Sequence, residues 1–304
     1  MGSHPYTRFE DLVRLRHAAG GFSLLPKQPV SSLLSGQHAS RLRGRGMMFE
    51  ELRDYRPGDD IRQMDWKATA RLRKPYIRVY SEERERTVLL VVDQRTSMFF
   101  GSERTTKATA AAEVAALAAW RAIDGGDRIG AIVFGDDETL ELRPRRSRES
   151  VLHICHEITR MNQQLSADQL AEDSSRRLND ALRQCVNVAK HDCLVVLVTD
   201  YAGDDDETRR LTTQLASHND VLAFLVYDPL GIRLPARGQL HATDGSTQYS
   251  IPSGPEFAQS FETSFRARCD QLRERLGAIR VPIVPICTHE PVARQILAAM
   301  GERP

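Results

Sequence analysis

The apolar run Leu89 to Val92 ends on Asp93, and Arg95 and Ser97 follow at two-residue steps. Asp-x-Arg-x-Ser has the form of a divalent-ion loop, Asp-x-Ser-x-Ser, in which one hydroxyl is replaced by a guanidinium. Mg²⁺ takes oxygen ligands in near-octahedral geometry at about 2.0–2.1 Å, so each protein group it uses must offer a lone pair. A guanidinium carries donors only and cannot ligate. What the loop can do therefore depends on what else the fold brings to Asp93.

The elements that must position this loop are legible as an alternation. From Thr87 onward, "VLLVVD", "RIGAIVFG", "CLVVLVTD", "DVLAFLVYD" and "RVPIVPICT" are near-continuous apolar runs of the kind that a parallel sheet buried on both faces requires. Between them, "TKATAAAEVAALAAWRAID", "RESVLHICHEITRMN", "SSRRLNDALRQCVNVAK" and "DETRRLTTQLASH" repeat apolar residues at three- and four-residue spacing and predict helices. The pattern predicts an α/β domain with a doubly wound, mostly parallel sheet over residues 85–304. In such folds ligands bind beyond the carboxyl ends of the strands. Asp93, Asp200 and Asp228 each close a run there.

Residues 1–84 differ in character. From Ser35 to Glu85 the chain is dense in arginine and acid, lacks long apolar runs, and alternates in "PYIRVY" as a half-exposed strand does. Such a segment cannot bury much alone, so an N-terminal mixed segment docked on the α/β domain is expected. Gly, Pro and Asp-Gly signals between Gly231 and Gly254 predict a β-hairpin insertion at about residues 229–254.

The chain has 304 residues, with 42 Lys and Arg against 41 Asp and Glu, so no global field draws it to nucleic acid or to an anionic membrane. No run approaches the roughly 18 apolar residues of a spanning helix, and the N-terminus lacks the apolar core of a signal peptide. A cytoplasmic protein without direct membrane insertion is expected. Five scattered cysteines, Cys155, Cys185, Cys193, Cys269 and Cys287, suit reduced apolar residues better than disulfides or a zinc cage. Phosphate-loop, dinucleotide, nucleophile-elbow and zinc-protease signatures are missing, and sequence places no histidine beside Ser97 as a base.

"YRPGDDIRQMDWKATAR", followed by a strand, "ERE" and Asp-x-x-x-Ser-Met, resembles the bacterial domain of unknown function 58 family, whose main domain is similar to a von Willebrand factor A domain. The likeness runs from about Phe49 to Pro304. Its most specific residues are Tyr55, Arg56, Pro57, Gly58, Asp59, Asp60, Arg62, Asp65 and Trp66, with later landmarks in "VTDY" and "DPLGIRLPARG". The resemblance implies partnership with a MoxR-type AAA+ ATPase, and with other von Willebrand factor A-like proteins, in assembly or activation of partner complexes.

It also implies a site. In A-domains similar to this one, magnesium is held by an aspartate and two serines of a first loop, a threonine of a second and an aspartate of a third. Mapped here, Asp93, Ser97 and Asp200 remain, Arg95 stands at the first serine, and Arg176 falls where the threonine belongs, with Ser175 one residue away. Two carboxylates at adjacent strand ends repel until a metal or an arginine relieves them, so Arg95 and Arg176 read as built-in replacements for the ion. No cofactor is expected, and magnesium, if held, would be held weakly by Asp93, Ser97 and Asp200. The alternative is that Arg95 points into solvent and nothing binds there.

The favoured function is a non-enzymatic adaptor that presents Asp93, Arg95, Ser97, Asp200 and Arg176 to a partner, with Arg95 pairing a partner carboxylate. The competing reading is a Mg-dependent hydrolase or nucleotide-binding enzyme using Asp93 and Asp200. Arg56, Asp59, Arg62 and Trp66 read either as a secondary partner surface or as an internal ion-pair and capping network, with a type II turn on Pro57 and Gly58 and a helix through "IRQMDWKATARL" capped by Asp59 or Asp60. His153 and His156, three apart on a predicted helix, read as a partly buried face rather than a metal pair. Ser147 is expected to cap that helix.

Overall fold

The alternating apolar runs form one sheet. A computed structural model of the chain describes residues 5–24, 47–56, 59–82, 85–168, 174–231, 240–243, 248–251 and 254–301. They fall into two compact units, Met1–Leu33 with Arg86–Pro304, and Leu34–Glu85.

In the larger unit, α1 (Phe9–Arg14) comes first in the chain. Leu12 is fully buried, and its carbonyl accepts from Trp120 Nε1 at 3.1 Å, so this N-terminal stretch is part of that unit's core. In the smaller unit, β1 (Met47–Asp54) pairs antiparallel with β2 (Tyr76–Glu82), and α2 (Trp66–Leu72) lies between them in the chain. The helix expected through Ile61 to Leu72 is broken into a 3-10 turn at Ile61–Gln63 and α2. Met64 is extended and bridges to Ile77, and Asp65 restarts the helix by accepting from the Lys67 and Ala68 N–H groups at 3.0 and 2.9 Å. The turn predicted at Pro57 and Gly58 lies outside the described residues.

The rest of the larger unit runs β3 (Thr87–Asp93), α3 (Lys107–Asp124), β4 (Arg128–Phe134), β5 (Thr139–Arg145), α4 (Arg148–Gln164), α5 (Ser174–Val188), β6 (Cys193–Thr199), α6 (Asp206–His218), β7 (Asp220–Tyr227), β8 (Leu240–Thr243), β9 (Gln248–Ile251), α7 (Pro255–Ala278), β10 (Ile283–Cys287) and α8 (Val292–Met300). The six-stranded sheet has the order β10-β7-β6-β3-β4-β5 and is parallel except for β5. The prolines of its outer strands, Pro144 in β5 and Pro285 in β10, sit at the two edges, where a missing N–H is tolerated. In the insertion after β7, β8 and β9 pair antiparallel.

Side chains of β3 alternate between two cores. Val88, Leu90 and Val92 pack with the alanine-rich α3 and with residues of α1, α4 and α8. Leu89 and Val91 pack with α5, α6 and the last turns of α7, through Leu272 and Leu276. α7 and α8 add to the helices that the spacing predicts, and α7 hid because only those two of its residues are buried. Ser147 caps α4 by accepting from the Ser150 N–H at 3.2 Å. The five cysteines are free thiols, and burial pushes Cys155 up to about 12, which suits an inert apolar residue.

Candidate functional site

Connections diverge between β3 and β6, where the strand order reverses, and both strands deliver an aspartate to that crevice. Asp93 is the last residue of β3. Its Oδ1 accepts from the Arg95 backbone N–H at 3.0 Å and from Arg95 Nε at 2.9 Å, and its Oδ2 accepts from Arg95 Nη2 and from Thr199 Oγ1, each at 2.6 Å. A carboxylate has about four acceptor positions, and all four are taken.

Arg95 is fully buried and points inward, away from both the solvent and the partner-facing position that the sequence reading gave it. Its Nη1 donates to the Ala202 carbonyl at 3.2 Å, its Nη2 lies 3.7 Å from Asp200 Oδ1, and its guanidinium stands 5.4 Å from the Phe134 ring centre. Burial works against the charge, but Asp93 and then Asp200 hold the guanidinium's pKa above its ordinary value. The loop is fixed in turn by a 3-10 turn, Thr96–Met98, with Met98 buried and the Thr96 N–H on Asp136 Oδ2 at 2.6 Å.

Asp200 follows β6. Its Oδ1 accepts from the Ala202 N–H at 2.8 Å, and its Oδ2 pairs with Lys107 Nζ. Burial opposes ionisation of this carboxyl, but Lys107, then Arg95 and the Ala202 N–H, hold its pKa below the ordinary range. Lys107 is the first residue of α3, after the N-cap Thr106. A cation there is opposed by the helix dipole by roughly 0.3–1 kcal/mol, and the pairing with Asp200 offsets that opposition. Two carboxylates and two cations thus neutralise one another at the ends of β3, β6 and α3.

Lys107, not Arg176, is the second cation, and the sequence reading missed it. The Arg176 side chain is 80% exposed, and its ion pair among the described residues is with Asp180 on its own helix, 4.0 Å away. α5 turns Leu178, Ala181, Leu182 and Cys185 to the core, which leaves Arg176 outside. The signal for Lys107 was a lysine at the helix position that least favours one. Ser97 Oγ is buried and has no hydrogen-bond partner among the described residues. The side chain of Ser175 lies outside the described residues.

The residues present do not fit a magnesium ion as arranged. The Asp93 acceptors are filled, the Asp200 oxygens serve Lys107 and Ala202, and no cluster of three or more His, Cys, Asp or Glu suited to a metal occurs among the described residues. His153 and His156 are both exposed on α4, the first 3.7 Å from Glu157 and the second edge-on to Phe9. The third strand-end aspartate, Asp228, is a structural tie. It accepts from Ser102 N and Oγ, Leu230 N and Thr288 Oγ1, at 2.5 to 2.9 Å, joining the β3–α3 loop to β7 and β10.

In the smaller unit the acids of the arginine-rich motif act locally. Asp59 accepts from the Arg56 N–H at 2.7 Å and from Arg53 Nη2 at 3.0 Å, which lower its carboxyl pKa, and Asp60 accepts from the Arg62 N–H at 2.9 Å. Arg56, Arg62 and Trp66 are exposed, Trp66 by 66%.

Residues 51–269 match the family described as "Protein of unknown function DUF58". Uncharacterized protein Rv1480 of Mycobacterium tuberculosis and Uncharacterized protein Mb1516 of Mycobacterium bovis are each 29% identical over 294 residues, covering 95% of this chain and 90% of the relative. Among solved structures, the conserved hypothetical protein BatB from Bacteroides thetaiotaomicron is similar with a TM-score of 0.37 and 12% identity, over 64% of this chain and 98% of that one. The SpRpn10 VWA domain is similar with a TM-score of 0.35 and 10% identity, over 71% and 95%. The sheet order, with its antiparallel edge strand, agrees with the von Willebrand factor A-like architecture that the motif resemblance implies. No helix among the described residues is long and apolar enough to cross a membrane.

Proposed function

The chain belongs to the DUF58 family, and we propose that it is a non-enzymatic protein-interaction adaptor in which Arg95 takes the place of the ion of metal-dependent A-domains. One observation carries the reading: the guanidinium of Arg95 pairs bidentately with Asp93 from inside the loop, and the Arg95 N–H and Thr199 Oγ1 take the acceptor positions that remain. A crevice that neutralises its own charges offers neither open metal ligands nor an activated nucleophile. It offers a fixed surface of loops. The partner is a MoxR-type AAA+ ATPase, the one that the motif resemblance implies, and other von Willebrand factor A-like proteins are further candidates.

The test has two arms. A bound ion raises the melting temperature of the state that binds it, so millimolar Mg²⁺ should leave that of the full chain unchanged. The MoxR-type ATPase of the same organism should co-purify with the full chain, and calorimetry should give a saturable isotherm. A saturable Mg²⁺ shift that vanishes in Asp93→Asn overturns the replacement of the ion. Failure of the ATPase to bind overturns the partnership.

A further inference from the structure

Beside the charged cluster, a cleft of about 150 Å³ opens between the ends of β6 and β7 and the helix α7. Its floor is apolar, built from Leu225, Tyr227, Phe265 and Leu272, with Phe265 and Tyr227 ring to ring at 6.1 Å. Phe100, in the β3–α3 loop, stands at its rim with nearly half its surface exposed. A cavity of about this size lined by apolar side chains holds one benzene ring.

The charges of the lining balance, Lys107 and Arg268 against Asp200 and Asp228, but one of the two cations has no carboxylate partner among the described residues. Lys107 is engaged by Asp200, and Asp228 is enclosed by its four donors. Arg268 donates Nη2 to the Tyr201 carbonyl at 2.9 Å, is exposed, and pairs with no carboxylate among the described residues. Arg268 and Phe265 lie three residues apart on α7, so the free guanidinium edge and the apolar floor share one helix face.

We propose that this cleft is a docking groove for a segment of a protein partner that carries one large apolar side chain next to a carboxylate. The apolar group fills the space between Phe100, Tyr227, Phe265 and Leu272, and the carboxylate takes the remaining N–H groups of Arg268. Size fixes the first half of that specificity and charge the second. The proposal rests on the adaptor reading and adds to it where the partner touches and what it must present. It moves the acceptor of the partner's carboxylate from Arg95, which is sealed inside, to Arg268.

A random peptide library displayed on phage is selected against the full chain, and enriched peptides are synthesised and titrated by calorimetry. The expected peptides share an aromatic or leucine residue adjacent to Asp or Glu. Replacing that acid by its amide, or introducing Arg268→Glu, should weaken binding about tenfold or more. Cys269→Phe, which fills the cleft from a partly buried position, should abolish it; should that variant not melt cooperatively, Arg268→Glu alone decides. Absence of enrichment, peptides without the acid, or peptides indifferent to Arg268→Glu overturn the proposal. Binding of the ATPase to wild type is scored separately: ATPase binding that survives both variants removes the groove and leaves the adaptor reading standing, whereas peptide binding without ATPase binding does the reverse.

Discussion

Asp93 and Arg95, two residues apart in the chain, form a fully buried bidentate pair, with Nε 2.9 Å from Oδ1 and Nη2 2.6 Å from Oδ2. Breaking such a pair strands one charge in the interior, whereas replacing both members removes the desolvation penalty along with the attraction. Arg95→Ala should therefore lower the unfolding free energy by roughly 3–5 kcal/mol. The double change Asp93→Asn with Arg95→Met should lower it less, in urea denaturation followed by circular dichroism. Equal losses would show that the pair does not act as a unit.

The Lys107–Asp200 pair has a pH signature. The Asp200 carboxyl sits below its ordinary value of 3.8 in the folded protein, so the folded state binds fewer protons than the unfolded chain in that range. Its stabilisation is complete above about pH 4 and is lost as the pH falls through the lower, folded value. Lys107→Met should be less stable than wild type by roughly 2–3 kcal/mol at pH 7, and the gap should narrow on acidification to its smallest below 3.8. A gap that does not change with pH would assign Lys107 a packing role only.

Arg176→Ala should change stability by no more than about 0.5 kcal/mol, because the side chain is largely exposed and its ion pair with Asp180 is long. A loss comparable to that of Arg95→Ala in thermal melts would restore Arg176 to the cluster.

Ser97→Ala removes a buried hydroxyl that has no partner among the described residues. Leaving such a group unpaired costs about 1–3 kcal/mol, so the alanine variant should be as stable as wild type or more so. A clear drop in melting temperature would mean that the hydroxyl has a partner in solution.

Leu12→Ala should cost roughly 2–5 kcal/mol, the range for a fully buried leucine. Differential scanning calorimetry of the full chain would check it, and a variant indistinguishable from wild type would separate the N-terminal stretch from the core.

The sequence by itself determined five of the six strands of the main sheet, four helices and two carboxylates at neighbouring strand ends, because β-branched runs and three- and four-residue spacing are local signals, read within about 18 residues, whereas the partly exposed edge strand β5 carries no such run. It also determined that the loop after β3 carries a cation where a hydroxyl ligand would stand. It could not tell which way Arg95 points, since that is decided by acceptors outside the loop: the Ala202 carbonyl, and Asp200 across the crevice. Nor could it choose between Lys107 and Arg176 as the second cation. A motif register aligned Arg176 with a ligand position, but the rotation of α5 about its buried face turned it outward, and the end of α3 brought Lys107 to Asp200, 93 positions away in the chain. Tertiary packing decided these points because charges are paired by distance in space, and a helix's rotation is set by the apolar face it buries rather than by its polar residues.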